Sequence, residues 1–336
     1  MAIDIWECAL GFMDAQILLT AEELGIFTLL EERPQTAEAL ARATGLPQDS
    51  ATRLLTALCA LGLVVKGTDG CFCNGPEASQ MLVPGKPGYI GTMFHHLRED
   101  LYPLWGFFKE TLVEGTAQWQ RAFRGQPPPT VEMYSDPERL QAFMDGMHAI
   151  SYGPALEFAR AAPELSNVRT IVDVGGASGA FVIALAQVFP GLRGVVVDLP
   201  QVRPITEAYA ARASLDGRIT FHAADFFHDP LPQDADAYAL GYILHDWSTE
   251  QGSRLLARVA EAAPSGALLI VAEYLLADDR SGPLFVARSD LNMMVAARGR
   301  ERTAREYMDW IARFGFRTER VQPTHADKQF IIARKT

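Results

Sequence analysis

His245, Glu273 and Glu301 are the residues whose types and settings suit moving a proton. His245 closes the apolar run 237–244 and precedes Asp246 and Trp247, which puts it at the end of a buried strand, on the ligand edge of a sheet. With an ordinary pKa of about 6.5, an imidazole there takes the proton of a hydroxyl as its oxygen attacks an electrophile. A carboxylate beside the ring fixes its tautomer and stabilises the imidazolium that forms. Glu273, carried by the apolar strand 267–276, and Glu301, in the loop 296–303, are the acids expected to do so.

Three further acids stand at successive strand ends and point to a second chemistry. Asp173 precedes the turn Gly175, Gly176, Ala177, Ser178, Gly179; Asp198 follows Asp173 by 25 residues; Asp225 lies in the segment 219–227 with Phe226 beside it. A dinucleotide site wants glycines spaced GxGxxG, so that backbone closes on a pyrophosphate at a helix N-terminus. Here the middle position of that pattern is Ala177, and the Asp173 carboxylate would repel phosphate. A ligand with cationic groups and no phosphate suits the turn better. S-adenosylmethionine carries a sulfonium and an ammonium. On this reading Asp198 accepts from ribose hydroxyls, Asp225 accepts the adenine amino group and Phe226 covers the ring. The rival is a dinucleotide-dependent dehydrogenase on the same fold, disfavoured by Asp173 and Ala177.

A doubly wound sheet is needed to gather these side chains. Residues 170–200 read as a strand, a glycine turn, a helix over 180–188 closed by Gly191, and a β-branched strand over 195–197. Strands and helices alternate from there, with a helix over 250–262, another over 303–314, and a closing hairpin of strands 318–321 and 329–333 at the sheet edge. The fold class is α/β. Residues 81–165 have helical spacing broken by the proline-rich loop 125–130, and Trp105, Phe107, Phe108, Phe143, Met144, Met147 and His148 offer walls for a flat organic molecule. His95 and His96, without visible partners, read as surface residues.

The N-terminal segment has another organisation. Apolar helices over 3–12 and 17–30 precede a helix over 37–43 capped by Thr36, a helix over 49–61 ending at Gly62, and a hairpin of 63–66 and 71–73. That order is a winged-helix pattern, which raises a DNA-binding regulator as an alternative. Charge opposes it: residues 1–80 hold four Lys or Arg against eleven Asp or Glu, and the whole chain carries a formal charge of −11. The segment reads as a dimerisation and lid domain with an apolar face for a partner subunit. Cys8, Cys59, Cys71 and Cys73 have no disulfide or zinc spacing, no apolar run reaches membrane-spanning length, and a reducing cytoplasm is expected.

The strings DVGGASG, VVDLP, ADFF, LHDW, VAEYLL and GRERT, in this order behind a winged-helix module, resemble the S-adenosylmethionine-dependent small-molecule O-methyltransferases. The resemblance covers residues 12–334. It implies a Rossmann-like class I methyltransferase domain over 96–336 and a winged-helix dimerisation domain over 1–95, in an intertwined homodimer. It implies His245 as base flanked by Glu273 and Glu301, Asp198 and Asp225 on the donor's ribose and adenine, and an aromatic hydroxylated acceptor near Phe143, Met147, Asn292 and Met293. With the residues read above, the expected donor site comprises Asp173, Gly175, Gly176, Asp198, Leu199, Asp225 and Phe226, and the acceptor site adds His148. Gly241 stands where the family commonly has Lys or Arg, so one contact around the donor is expected to be missing or replaced. Relatives that methylate carbon or nitrogen share the fold. No metal is implied, because the sequence gives no visible carboxylate cluster to hold one; nucleic acid and membrane are not expected partners.

Overall fold

The computed structural model describes residues 4–86, 88–125, 133–325 and 327–336; Ile3 of the expected first helix, 126–130 of the expected proline loop and two single positions lie outside the described residues. The chain divides into two compact units, Met1–Glu99 and Asp100–Thr336.

In the first unit Asp4 caps the amides of Trp6 and Glu7 and starts α1 (Ile5–Glu23). Gly25, at φ 68°, separates it from α2 (Ile26–Glu32), so the break falls there and not between 12 and 17. Helices α3 (Ala37–Thr44), capped by Thr36, and α4 (Gln48–Ala60) follow, then the antiparallel hairpin β1 (Val64–Lys66) and β2 (Phe72–Asn74). Phe27, Leu30, Leu40, Leu55 and Leu58 form the core of this unit, whereas Ile5 and Trp6 on α1 are 80% and 71% exposed. His95 and His96 are not surface residues: both are half-buried, and His95 Nε2 is enclosed.

The second unit is built on one mixed sheet. Its strands are β3 (Thr170–Val174), β4 (Arg193–Asp198), β5 (Ile219–Ala223), β6 (Ala237–Gly241), β7 (Leu268–Leu276), the short β8 (Arg302–Thr303), β9 (Phe316–Pro323) and β10 (Lys328–Lys335). They lie in the order β5-β4-β3-β6-β7-β10-β9, with β8 beside β7. The first five are parallel, while β10 runs antiparallel to both β7 and β9. Phe158, Val182 and Leu185, from the helices Pro137–Arg160 and Ala180–Val188, cover one face; Leu255, Leu256 and Trp310, from Thr249–Ala262 and Ala304–Ala312, cover the other. The strand order reverses between β3 and β6, and in such sheets the crevice beyond the carboxyl ends at that point receives the ligand. The helix Ala180–Val188 has the expected bounds, with Phe189 rather than Gly191 at its C-cap, and the helix Leu284–Ala296 was not foreseen. Among the described residues no helix is long and apolar enough to cross a membrane.

Candidate active site

Strand β3 delivers Asp173, 3% exposed, directly below the glycine turn. Gly175 and Gly179 take φ 72° and 77°, and a Cβ on Gly175 would meet the Ile243 side chain. Ala177 adopts φ 50°, a left-handed conformation costing a non-glycine residue about 1–3 kcal/mol. Two bonds hold it: its N–H donates to Asp198 Oδ2 at 2.9 Å, and its carbonyl accepts from Thr206 Oγ1 at 2.6 Å. The other Asp198 oxygen accepts from Leu199 N–H at 2.8 Å. Burial raises both carboxyls, Asp173 to about 7 and Asp198 to about 6.

Strand β6 stops at Gly241, earlier than the expected run to 244, because Tyr242 turns into the left-handed region at φ 56°. A short 3-10 turn, Leu244–Asp246, then carries His245, whose side chain is 9% exposed. Glu273 organises this turn from β7: its Oε1 accepts from the N–H groups of Ile243, Leu244 and His245 at 3.2, 2.9 and 3.3 Å. Glu301 Oε1 lies 2.9 Å from His245 Nδ1 and also accepts from Ser289 Oγ at 2.7 Å, while the Glu301 N–H donates to Asp290 Oδ1 at 2.8 Å. Glu273 Oε2 is 3.7 Å from the same ring nitrogen, and on the opposite edge Asp246 Oδ1 is 3.5 Å from Nε2. Burial pulls the His245 pKa down, but Glu273, Asp246 and Glu301 together pull it further up, to about 10. Burial in turn lifts Glu273 to about 7 against the pull of His245.

Gly299 locks this turn from outside. A Cβ there would penetrate the His245 carbonyl oxygen, which accepts from Arg300 N–H at 2.8 Å. Backbone cannot yield as a side-chain tip can, so Gly299→Ala is expected to cost about 1–3 kcal/mol in stability. It should also lower turnover more than donor affinity, which chemical denaturation and titration calorimetry measure separately.

A cavity is lined by Asp173, Gly175, Gly176, Asp198 and Phe226, by Tyr242, Asp246 and Trp247, and by Tyr134, Phe143 and Met147. His245, Glu273 and Glu301 are not among its lining residues, whereas Asp246, 3.5 Å from the imidazole, is. Some expected residues are elsewhere. Asp225 turns away: one oxygen accepts from Phe227 N–H at 2.8 Å, the other lies 2.7 Å from His228 Nδ1, and Asp225 is absent from the lining. His148 pairs with Ser178 Oγ at 2.8 Å and stacks on Tyr209 at 3.8 Å, and burial lowers its pKa to about 4. Asn292 and Met293 ride the helix Leu284–Ala296 outside the lining, with Asn292 Oδ1 accepting from Trp105 Nε1 at 3.1 Å, and Leu199 is outside it too. Sequence reading missed Tyr242, Asp246, Ser289, Asp290 and Lys328; for Asp246 alone the adjacency to His245 was a usable signal.

The expectation that no carboxylate cluster assembles is corrected, since His245, Glu273 and Glu301 place ligand atoms within 4.8 Å of one another. Glu273 Oε1 accepts from three amides and Glu301 Oε1 faces the Nδ1 edge, while the second oxygen of each, Oε2, is buried without a hydrogen-bond partner among the described residues. The pairing of Glu301 with Nδ1 is the geometry of a carboxylate that orients a histidine base. The cavity fits an adenosyl sulfonium ligand. Its two buried carboxyls oppose phosphate, and a Cβ on Gly176 would run into Asp173, so the turn offers bare backbone to a close ligand.

The chain matches the family profile of the O-methyltransferase domain over residues 105–317 and that of the O-methyltransferase dimerisation domain over residues 6–84. It is 38% identical to the 3-hydroxy-5-methyl-1-naphthoate 3-O-methyltransferase of Streptomyces sahachiroi over 305 residues, 91% of this chain and 86% of that one. It is 34% identical to the N,N-dimethyltransferase OxyT of Streptomyces rimosus, over 93% of this chain and 90% of that one. Human N-acetylserotonin methyltransferase, solved in complex with SAM, matches with a TM-score of 0.89 at 30% identity, over 98% of this chain and 96% of that one. A profile spanning most of the second unit, relatives aligned over nearly their whole length and a shared fold agree: the chain belongs to the O-methyltransferase family and is an S-adenosylmethionine-dependent O-methyltransferase.

Proposed function

We propose that the acceptor is a hydroxyl on an aromatic or conjugated small molecule of secondary metabolism, and that His245 is the base that activates it. The carrying observation is the buried His245 with Glu301 and Glu273 both at its Nδ1 edge and its Nε2 edge toward Asp246 on the cavity wall. Phe143, Met147, Tyr134 and Trp247 at the same cavity support a flat apolar acceptor. The donor, when bound, supplies an electrophilic methyl group on a sulfonium. His245 Nε2 takes the hydroxyl proton as the acceptor oxygen attacks that methyl carbon and the carbon–sulfur bond breaks, its electron pair staying on sulfur, which leaves as S-adenosylhomocysteine. Glu301 holds the Nδ1 edge and balances the imidazolium charge. Glu273 keeps the backbone of 243–245 from shifting as that charge appears, and the cavity walls hold oxygen, methyl carbon and sulfur in line.

The likeness to a naphthoate O-methyltransferase supports an aromatic hydroxyl, and the likeness to an N,N-dimethyltransferase keeps an amine as the second reading. We assign residues 1–95 to dimerisation and 96–336 to catalysis. The outward Ile5, Trp6, Phe12 and Met13 of α1 support a homodimer, and the cytoplasm is the compartment this reading expects. Incubation with S-adenosylmethionine and a panel of hydroxynaphthoic, phenolic and anilinic acceptors, read by mass spectrometry and by carbon–proton correlation of the new methyl group, tests the reading. A methoxy product is expected. A methylamine product as the only one formed selects the second reading.

A further inference from the structure

Lys328 is 3% exposed and lines the cavity; its carbonyl accepts from Thr324, but its Nζ makes no hydrogen bond or ion pair with any described residue. Its position follows from the sheet. Strand β10 pairs antiparallel with β7, setting Lys328 opposite Tyr274 and Phe330 opposite Ala272; β6 sets Gly241 opposite Ala272, and β3 sets Asp173 opposite Ala239. Asp173, Ala239, Gly241, Ala272 and Lys328 all line the same cavity. The small Ala272 and Gly241 leave a trough through which the Lys328 chain crosses β7. Its Nζ lies 3.5 Å from the Tyr242 ring centroid, and a Cβ on Gly241 would meet nothing closer than Ala272 Cβ at 3.8 Å.

A buried amine with only the aromatic faces of Tyr242 and Phe330 against it is incompletely satisfied. Asp173 and Glu273 act on it through the field alone, and burial drops its pKa to about 7. A ligand carboxylate would supply the missing partner. Resting on the S-adenosylmethionine reading of this cavity, we propose that Lys328 binds the carboxylate of the donor's amino-acid end, while Asp173 across the sheet takes up its ammonium. The sheet face thereby reads a zwitterion, with the cation supplied by the antiparallel strand.

The test is calorimetric titration of the full-length protein and of Lys328→Met with S-adenosylhomocysteine and with its decarboxylated analogue, which keeps the amine and the nucleoside. A charge-assisted hydrogen bond predicts that the wild type prefers the carboxylate-bearing ligand by about ten- to a hundredfold. Lys328→Met should then bind both ligands alike, near the wild-type affinity for the decarboxylated one. A wild type without preference overturns the proposal whatever the variant does. So does a preference that survives in Lys328→Met, or equal loss of both ligands in it, which would make the lysine a support of the fold. A wild type that binds neither ligand overturns the donor reading itself.

Discussion

His245→Ala is expected to lower kcat by about a thousandfold and to leave affinity for S-adenosylhomocysteine within about twofold, because a positioned general base contributes about 10²–10⁴ in rate. The ring is not among the residues that line the cavity, and its Nε2 edge is the one near Asp246, which is. The pH profile gives an independent reading. With three carboxylates holding the imidazolium up to about 10, the neutral base becomes more abundant as pH rises, so kcat/KM for the acceptor should climb through that range. Glu301→Gln removes one of those charges and should move the rising limb to lower pH. Stability runs the other way. A histidine whose folded pKa lies above its unfolded value of about 6.5 stabilises the fold fully below that value and loses the contribution as pH rises through the folded value. The melting temperature should therefore fall across the window in which activity rises, and fall less in His245→Ala. Turnover in the variant above about a tenth of wild type would leave alignment of donor and acceptor as the source of the rate.

The parts of this site carried by regular periodicity were legible in the sequence. The run 170–174, the glycine turn and the helix Ala180–Val188 fixed the places of Asp173 and Asp198, because a parallel strand covered on both faces is continuously apolar up to its ligand edge. His245 was found by the same rule, although its strand ends four residues earlier; the turn at Tyr242 depends on Glu273 gathering three amides from β7, a long-range bond that no local pattern encodes. His148 was misplaced by one helical step. It follows Met147, and the rotation of about 100° per residue that keeps Met147 on the cavity carries His148 round to Ser178 and Tyr209. Asp225 was misplaced because a short acid in a loop can bond its own backbone two residues on, as it does to Phe227. Lys328 was invisible for a topological reason: its side chain reaches the cavity only because β10 enters the sheet antiparallel beside β7.

Asp198→Ala should weaken S-adenosylhomocysteine binding by about 10²–10³, the loss expected when two charge-assisted hydrogen bonds to a ligand disappear together. Each oxygen of this carboxylate already accepts one backbone N–H, from Ala177 and from Leu199, and each retains a further lone pair at a residue that lines the cavity. Truncation therefore acts twice: it removes acceptors for a pair of ribose hydroxyls, and it releases Ala177 from one of the two bonds that hold its left-handed conformation. Asp198→Asn separates the effects. The amide keeps the shape and one acceptor but turns a donor toward an N–H group, so its affinity should fall between those of wild type and Asp198→Ala. Acid titration offers a third handle. Burial holds Asp198 up at about 6, so donor affinity should decline as pH drops through that value and the carboxyl gives up an acceptor site, and the decline should be absent in Asp198→Ala. Wild-type affinity in Asp198→Ala would remove the donor from the carboxyl end of β4, and with it the reason for setting the acceptor hydroxyl beside His245.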